Sequence, residues 1–566
     1  LIFMHIAAQA QSPSIVLEGF TLIDPASGRV EPRRSLLIEG RSIVAIGETG
    51  KLRIPADATR IPLNGKFLMP GLVDAHVHYF QSGGLYTRPD VIDLRALRPY
   101  SDERKWLFDH APDLFARYLR AGITTTLDVG GPMSNYALRE QAAASALSPT
   151  LYVTGPLIST YQPEEFGQDD PPIINVQSPE QARELVRLQL PLKPDFIKIW
   201  YIVLRGQTAA QNLPIVAAAI EESHLHGLPV AVHATQLETA RLAVQAGADF
   251  LVHSVDDQPV DDDFVELLVK NGVSYIPTLI VSGNYEKVLS QRLDLSMADF
   301  DLANPLTLGS LQDLQHLSTG LIPAWVRRMM ADPAPDTAKE DSLMAHNLRR
   351  LLRAGVNVAT GTDAGNIGTL HASSYFAEIA AMRRAGLSNL EILRASTVNG
   401  ARVLGKQDEF GRLKVGARAD LLILDANPLE NIDHLQQVFA VMKQGRLMDA
   451  ATIAPDSPEH LAQRQLNAYN ARNLDAFVSY YHPEVEVYNF PDQLQYTGRE
   501  NMRPGYGRFF EANPRLHCEL VNRIVIGKRV IDREHITGLS NGGSFDAVAI
   551  YEIEGGLIRK VFFLVE

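Results

Sequence analysis

The stretch Met69-Pro70-Gly71-Leu72-Val73-Asp74-Ala75-His76-Val77-His78 decides how the rest of this 566-residue chain is read. Phe67 to Met69 is apolar, Pro70-Gly71 breaks the run, and Leu72-Val73 resumes it as a short buried strand ending in two histidines. Side chains at i and i+2 of a strand point to one side, so His76 and His78 converge on one point. Two neutral imidazoles at a strand end are the first ligands that a zinc-type metal needs.

The bulk composition narrows what those histidines can serve. A chain this long exceeds one compact core and asks for several domains. With 46% hydrophobic and 21% charged residues it reads as an ordinary globular protein. A formal charge of -13 argues against nucleic acid or an anionic membrane as partner, since either needs a basic face. The single cysteine, Cys518, excludes an intrachain disulfide and a thiolate metal cluster, so a metal must be held by His, carboxylates or a modified Lys. Residues 1–11 read as a signal-peptide remnant, an apolar run before the small-x-small pattern Ala8-Gln9-Ala10, which predicts a periplasmic or secreted protein. The alternative is a cytoplasmic protein with an incidental apolar patch. No stretch reaches the roughly 18 apolar residues of a membrane span.

Working outward, residues 12–69 read as short strands broken by turns such as Asp24-Pro25-Ala26-Ser27-Gly28. From 70 to 404 buried-strand runs alternate with helical stretches, the pattern of an α/β chain whose parallel strands close into a (β/α)8 TIM barrel. Eight strands are expected, at 71–76, 124–129, 150–154, 195–199, 229–233, 249–253, 273–279 and 356–362. Residues 405–450 return to short strands and should complete the sheet begun by 12–69, giving a composite β-sandwich split around the barrel. After a Pro- and Ala-containing linker, residues 456–566 read as an α+β domain of one or two helices followed by strands.

Barrel active sites are built at the C-terminal ends of strands. Lys198, His233 and His253 each close a strand, and Asp363 follows the last one in Thr360-Gly361-Thr362-Asp363. Singly each has an ordinary reading: a snorkelling lysine, core histidines, a turn aspartate. With His76 and His78 they make six residues of metal-site type at five strand ends.

That constellation, after Pro-Gly-Leu-Val-Asp-Ala-His-Val-His, resembles the amidohydrolase superfamily and its binuclear type. The resemblance implies that His76, His78 and Asp363 bind one divalent ion and that His233 and His253 bind the second. Lys198, carboxylated on its amine, would bridge them; a carbamate supplies two anionic oxygens where a free ammonium would be repelled. The all-N/O set suits zinc, without excluding manganese, cobalt or iron. The implied reaction is hydrolysis of an amide or peptide-type C–N bond by a metal-bridging hydroxide, with Asp363 as general acid and base and no organic cofactor. A lactonase or phosphotriester-type esterase on the same metals, and a non-catalytic binding protein whose tail is the functional element, are the alternatives; the complete ligand set weighs against the latter.

Ala121-Gly-Ile-Thr-Thr-Thr-Leu-Asp, Thr360-Gly-Thr-Asp-Ala-Gly and Gly411-Arg-Leu-Lys-Val-Gly-Ala-Arg-Ala-Asp are similar to the branch containing imidazolonepropionase and Xaa-Pro dipeptidases. The βα loops depart from it. The loop from Gly155 to Phe166 lacks the Gly-Gly-His common there, Leu127 stands where an arginine often precedes Asp128, and Ile199-Trp200-Tyr201 replaces a small-residue turn. The reaction class therefore transfers better than the dipeptide substrate. Tyr201, Arg205 and His371 are the candidate contacts to a small-molecule substrate, with loop packing as their ordinary reading.

The tail, through Ala468-Tyr469-Asn470-Ala471-Arg472-Asn473-Leu474-Asp475 and Val485-Glu486-Val487-Tyr488-Asn489-Phe490-Pro491, resembles SnoaL-like members of the nuclear-transport-factor-2-like folds. The resemblance implies a conical pocket used for binding or dimerisation, so a homo-oligomer is open. An independent activity would need a buried carboxylate; Glu484, Glu486 and Asp492 are candidates, and Tyr469, Tyr488 and His517 are candidate pocket groups.

Overall fold

The computed structural model describes residues 14–331 and 338–565. The expected signal-peptide remnant, residues 1–11, lies outside the described residues.

The short strands on either side of the barrel meet in one sheet. Phe67–Pro70 pairs antiparallel with Leu421–Leu424, Met69 opposite Leu422, and joins strands of residues 14–70 to strands of 421–449. The order is Arg446–Asp449, Val438–Lys443, Leu421–Leu424, Phe67–Pro70, Ser14–Asp24, Arg29–Glu39, Ser42–Glu48, with Thr59–Pro62 also on Ser14–Asp24. The ladders thus form one eight-stranded sheet where a two-sheet sandwich was expected. The Asp24–Gly28 turn fixes the first hairpin: Asp24 accepts from Ala26 N (3.1 Å) and Ser27 Oγ (2.5 Å), and Gly28 takes φ +77.

All eight expected barrel positions hold strands: Leu72–Val77, Ile123–Asp128, Thr150–Val153, Ile197–Trp200, Val230–His233, Phe250–Val252, Ser274–Ile276 and Asn357–Val358. They pair in parallel and alternate inside and outside. Phe196, Ala231 and Phe250 belong to the inner cluster, while Ile197, Val230, Val232 and Leu251 pack outward among the helices.

The closed barrel expected from the sequence is not formed. The strands lie in a three-stranded and a seven-stranded sheet. One seam follows Thr150–Val153, where Gly155-Pro156 interrupts the ladder: Pro156 has no N–H, and the Gly155 carbonyl accepts from Gly131 N (3.2 Å). The chain resumes as Leu157–Ser159, which pairs with Ile197–Trp200. The other seam follows the two-residue strand Asn357–Val358. There residues 360–364 meet the first strand through single bonds: Ala75 N to Thr360 O (2.9 Å), Asp363 N to His76 O (2.8 Å) and His78 N to Ala364 O (2.7 Å). The arrangement is barrel-like, and its second seam runs through the histidine strand.

Between Ser274–Ile276 and Asn357–Val358 the chain inserts helices, among them Val281–Leu289, Met297–Leu302 and Pro305–Ser310. The tail packs on this insertion. Leu461, Leu466 and Phe477 share one apolar cluster with Leu308, Leu311 and Leu314. Buried Arg464 reaches Asp456 (2.6 Å) and the Phe300 carbonyl, and Asn467 Nδ2 donates to Pro305 O (2.7 Å). The tail itself is a six-stranded sheet, Gln493–Thr497, Tyr481–Asn489, Leu557–Val565, Phe545–Glu554, Arg529–Thr537, His517–Ile526, covered by the helices Pro458–Asn470, Leu474–Ser479 and Arg499–Ala512.

Candidate metal centre and active site

The strand Leu72–Val77 delivers its histidines through a local irregularity. Its register with Ile123–Asp128 shifts between Asp74 and Val77. His76 and His78 do converge, with Nε2 atoms 3.3 Å apart. Asp363 Oδ1 lies 3.2 Å from each. Gly361 permits this approach, because a Cβ there would fall 2.8 Å from the His76 Cβ.

The triangle of two imidazole nitrogens and a carboxylate oxygen tests whether a metal fits. His78 Nδ1 lies 2.7 Å from the Gly130 carbonyl oxygen, so in the neutral ring the proton sits on Nδ1 and Nε2 is the acceptor. Asp363 Oδ1 is buried without a hydrogen-bond partner. A proton on His76 Nε2 can serve one of these two acceptors and leaves the other unserved; a cation serves all three. Ligands about 2.0–2.1 Å from a tetrahedral centre stand about 3.3 Å from each other, which the triangle matches. His76, His253 and Asp363 also bring ligand atoms within 4.8 Å of one another.

The remaining candidates close around it. Ile197 and Ile199 pack outward, so Lys198 between them points inward. His233 sits with its ring 4.4 Å from that of His253, which is 4.9 Å from that of His76. His253 Nδ1 is 2.9 Å from Thr278 Oγ1 and 3.9 Å from Asp363 Oδ2. His253, Thr278 and Asp363 all take left-handed backbone, at φ +76, +45 and +60. For non-glycine residues that costs on the order of 1–3 kcal/mol each and is held by its surroundings.

Burial sets the charge states. It holds His76, His233 and His253 well below the ordinary imidazole range, with Lys198 adding to the effect, so all three are neutral and ligand-competent. It brings Lys198 down to about 7, and its Nζ is buried with no hydrogen-bond partner.

Several supporting residues escaped the sequence reading. Asp74 accepts from Thr362 N (3.1 Å) and Thr362 Oγ1 (2.8 Å), tying the histidine strand to the Asp363 turn; its carboxyl is pushed up to about 7 by burial. A charged residue inside the apolar run Leu72–Ala75 was the signal for it. Glu378 accepts from Leu279 N (3.0 Å) and Ile280 N (3.2 Å), fixing the loop that carries Thr278. Gly130, Thr278 and Glu378 act through backbone and second contacts that no spacing announces.

A cavity of about 450 Å³ opens onto His78, Lys198, His233, His253 and Asp363, with Phe166, Trp200 and Met344 on its apolar walls. The three residues expected to contact substrate are elsewhere. Tyr201 is buried and donates its hydroxyl to Ala209 O (2.5 Å). Arg205 is exposed in the following turn. His371 is buried behind the histidine strand, bonded to Gln81 O (2.8 Å) and Tyr118 OH (3.0 Å) and stacked on Tyr79. Trp200, one residue before Tyr201, takes the place at the cavity wall, because alternation turns 200 and 201 to opposite sides.

An α/β barrel-like scaffold with a His/Lys/Asp cluster at its strand ends points to a hydrolase of the amidohydrolase type. Residues 67–448 match the Amidohydrolase family, and the chain belongs to it. Residues 462–561 match the SnoaL-like domain. The chain is 24% identical over 480 residues to ochratoxinase of Aspergillus niger, covering 77% of this chain and 86% of that enzyme. It is 23% identical over 452 residues to imidazolonepropionase of Shouchella clausii, covering 74% and 85%. A solved Xaa-Pro dipeptidase with bound methionine in its active site superposes with a TM-score of 0.58 at 23% identity, covering 77% of this chain and all of the other. The protein is thus a hydrolase of a family that acts on C–N bonds and is in general metal-dependent. Among the described residues no helix is long and apolar enough to cross a membrane.

Proposed function

We propose that the protein hydrolyses an amide bond in an uncharged or weakly charged substrate with a bulky apolar, preferably aromatic, group. His76, His78 and Asp363 would hold one divalent ion, His233 and His253 a second, and Lys198 as its carbamate would lie between them. The triangle formed by His76 Nε2, His78 Nε2 and Asp363 Oδ1, with sides of 3.2–3.3 Å, carries this reading. When bound, such a pair supplies Lewis acidity to the scissile carbonyl and lowers the pKa of water toward neutrality.

The chain's own residues supply the rest. A lysine near 7 is partly unprotonated at neutral pH, and its lone pair can attack carbon dioxide to form the carbamate with loss of one proton. The Asp363 carboxylate, left-handed at the strand end, accepts the attacking water's proton and returns it to the leaving nitrogen. Phe166 and Trp200 hold the apolar group and exclude water.

The cavity offers little to an anionic tail. Its Arg88 is forked on Asp90, with Nε at 2.8 Å and Nη2 at 2.6 Å, and its Nη1 donates to Tyr285 OH (2.9 Å) and Asn366 Oδ1 (2.5 Å). A guanidinium with its fork filled recruits no carboxylate.

The test is metal analysis of the purified protein together with a panel of N-aroyl and N-acyl amino acids, their amides, Xaa-Pro dipeptides and lactones. We expect close to two metals per chain and best turnover on aromatic amides. Less than about one metal per chain with no amide turnover overturns the reading, and turnover confined to lactones replaces it with an esterase.

A further inference from the structure

The turn that carries Asp363 is held on two sides. Toward the histidine strand, Asp363 N donates to His76 O (2.8 Å) and His78 N donates to Ala364 O (2.7 Å). Gly365, at φ +110, lets the turn lie against that strand, since a Cβ there would fall 2.4 Å from the His78 carbonyl oxygen. On the other side, the carbonyl of left-handed Asp363 accepts from Asn366 Nδ2 at 3.1 Å.

Asn366 is itself oriented by two donors from elsewhere in the chain. It is 3% exposed, at the wall of the cavity. Its Oδ1 accepts from Tyr285 OH at 2.6 Å and from Arg88 Nη1 at 2.5 Å, and Arg88 Nη1 also donates to the Tyr285 oxygen at 2.9 Å. Tyr285 lies on the helix Val281–Leu289, and Arg88 is anchored by its fork on Asp90, at 2.8 and 2.6 Å. Both lone pairs of Oδ1 are thus filled, and turning the amide over would set its NH2 against two donors. Nδ2 is left with one direction, toward the Asp363 carbonyl. Burial pushes the Tyr285 phenol up, so it keeps its proton in the neutral range and stays a donor. Three segments far apart in sequence therefore meet on the one turn whose strained backbone has to be held.

We propose that Asn366 is a positioning residue for Asp363: clamped by Arg88 and Tyr285, it fixes the left-handed turn and with it the direction of the carboxylate. This rests on the reading in which Asp363 ligates an ion and moves the proton. A carboxylate with both tasks tolerates little misplacement. Because Asn366 lines the cavity, a direct contact to substrate is the competing role. Its amide has no valence to spare for that, with Oδ1 taken by two donors and Nδ2 spent on Asp363, so its effect falls on turnover and not on binding.

The experiment measures kcat, KM and metal affinity, the last by competition with a chelator, on the full-length protein. Asn366→Asp keeps the shape and both acceptors for Arg88 and Tyr285 but has no N–H for the Asp363 carbonyl. Its kcat on the best amide should fall by about 10–100-fold and its metal affinity by about tenfold, with KM within about twofold of wild type. Asn366→Ala loses the same donor without adding a charge and should lower kcat to a similar extent. Tyr285→Phe removes one of the two donors that orient the amide and should lower kcat by about threefold to tenfold, again with KM unchanged. A KM that rises while kcat holds overturns the proposal and makes Asn366 a substrate contact. Wild-type kcat and metal affinity in Asn366→Asp overturn it as well. Should the Asn366 variants fail to fold, wild-type kcat in Tyr285→Phe overturns it equally. Failure of the metal reading shows separately, in wild type itself: a wild-type protein with neither metal nor amide turnover overturns both.

Discussion

Two of the cavities among the described residues each hold one buried carboxylate, Asp363 and Glu534, and the backbone beneath them differs. Asp363 sits in a left-handed turn, in contact with a strand whose register has slipped, and opposite His253 and Thr278, which are left-handed as well. Glu534 sits in the middle of a regular strand paired on both sides. In the barrel-like part, side chains from five strand ends meet at one mouth, with His253, Asp363 and the contact residue Thr278 on left-handed backbone. In the tail a single acid is placed by alternation alone, and burial gives it its character. Convergence suits an ion that needs several ligands at once.

The sharpest way to break the contrast is to remove each acid in turn. Asp363→Asn keeps the shape but loses the charge and the proton acceptor, so kcat/KM on the best amide should fall by about 10³-fold or more. A variant that retains a tenth of wild-type activity would remove Asp363 from the chemistry. Next comes Lys198→Ala, which deletes the group proposed to lie between the two ions. Metal content should drop by about one ion per chain and activity by about 10²-fold. Two ions retained with full turnover would leave Lys198 as a strand-end packing residue.

A smaller effect tests the outer contacts. Thr278→Val preserves shape and removes the hydroxyl 2.9 Å from His253 Nδ1. Metal affinity, measured by competition with a chelator, should weaken by about 10–100-fold, with the fold and the apolar cavity intact. An unchanged affinity would mean that the left-handed backbone alone orients the imidazole.

What the sequence disclosed follows the same division. The six residues proposed as metal ligands stood out in the sequence because they sit at or just past the ends of apolar runs of strand length, where a barrel gathers its chemistry. The eight strands were legible for the same reason. Closure was not, since it depends on hydrogen bonds at Gly155-Pro156 and at residues 360–364, where the chain is irregular. Tyr201 and Arg205 were misplaced because loop direction after Trp200 is set by tertiary packing, and His371 because a buried histidine can support a site from behind. In the tail, the carboxylates singled out from the sequence, Glu484, Glu486 and Asp492, do not line the cavity, and Glu534 does. The structure pairs Glu486 with Lys560 at 3.0 Å on the outside and turns Glu534 to the cavity. Which face of a strand meets the helices is a property of the whole sheet, not of the strand.

The last prediction concerns stability and singles out Glu534. Burial raises its carboxyl from 4.5 to about 7 in the folded protein. Below about pH 4.5 the group is protonated whether the chain is folded or not. As pH rises toward 7 the unfolded chain releases the proton while the folded chain keeps it, so the contribution is fully present in acid and lost as pH climbs through the folded value. Asp74, Asp128 and Glu378 are raised in the same way, so the wild-type curve alone cannot isolate one of them. Glu534→Gln carries no proton to lose. Its stability relative to wild type should therefore climb by on the order of 2 kcal/mol between about pH 4.5 and about pH 7.5 and then level off. Thermal unfolding of the two proteins in parallel measures it. Parallel curves across that window would mean that the tail's acid is ionised in the fold, and the two cavities would then differ in geometry but not in the charge they bury.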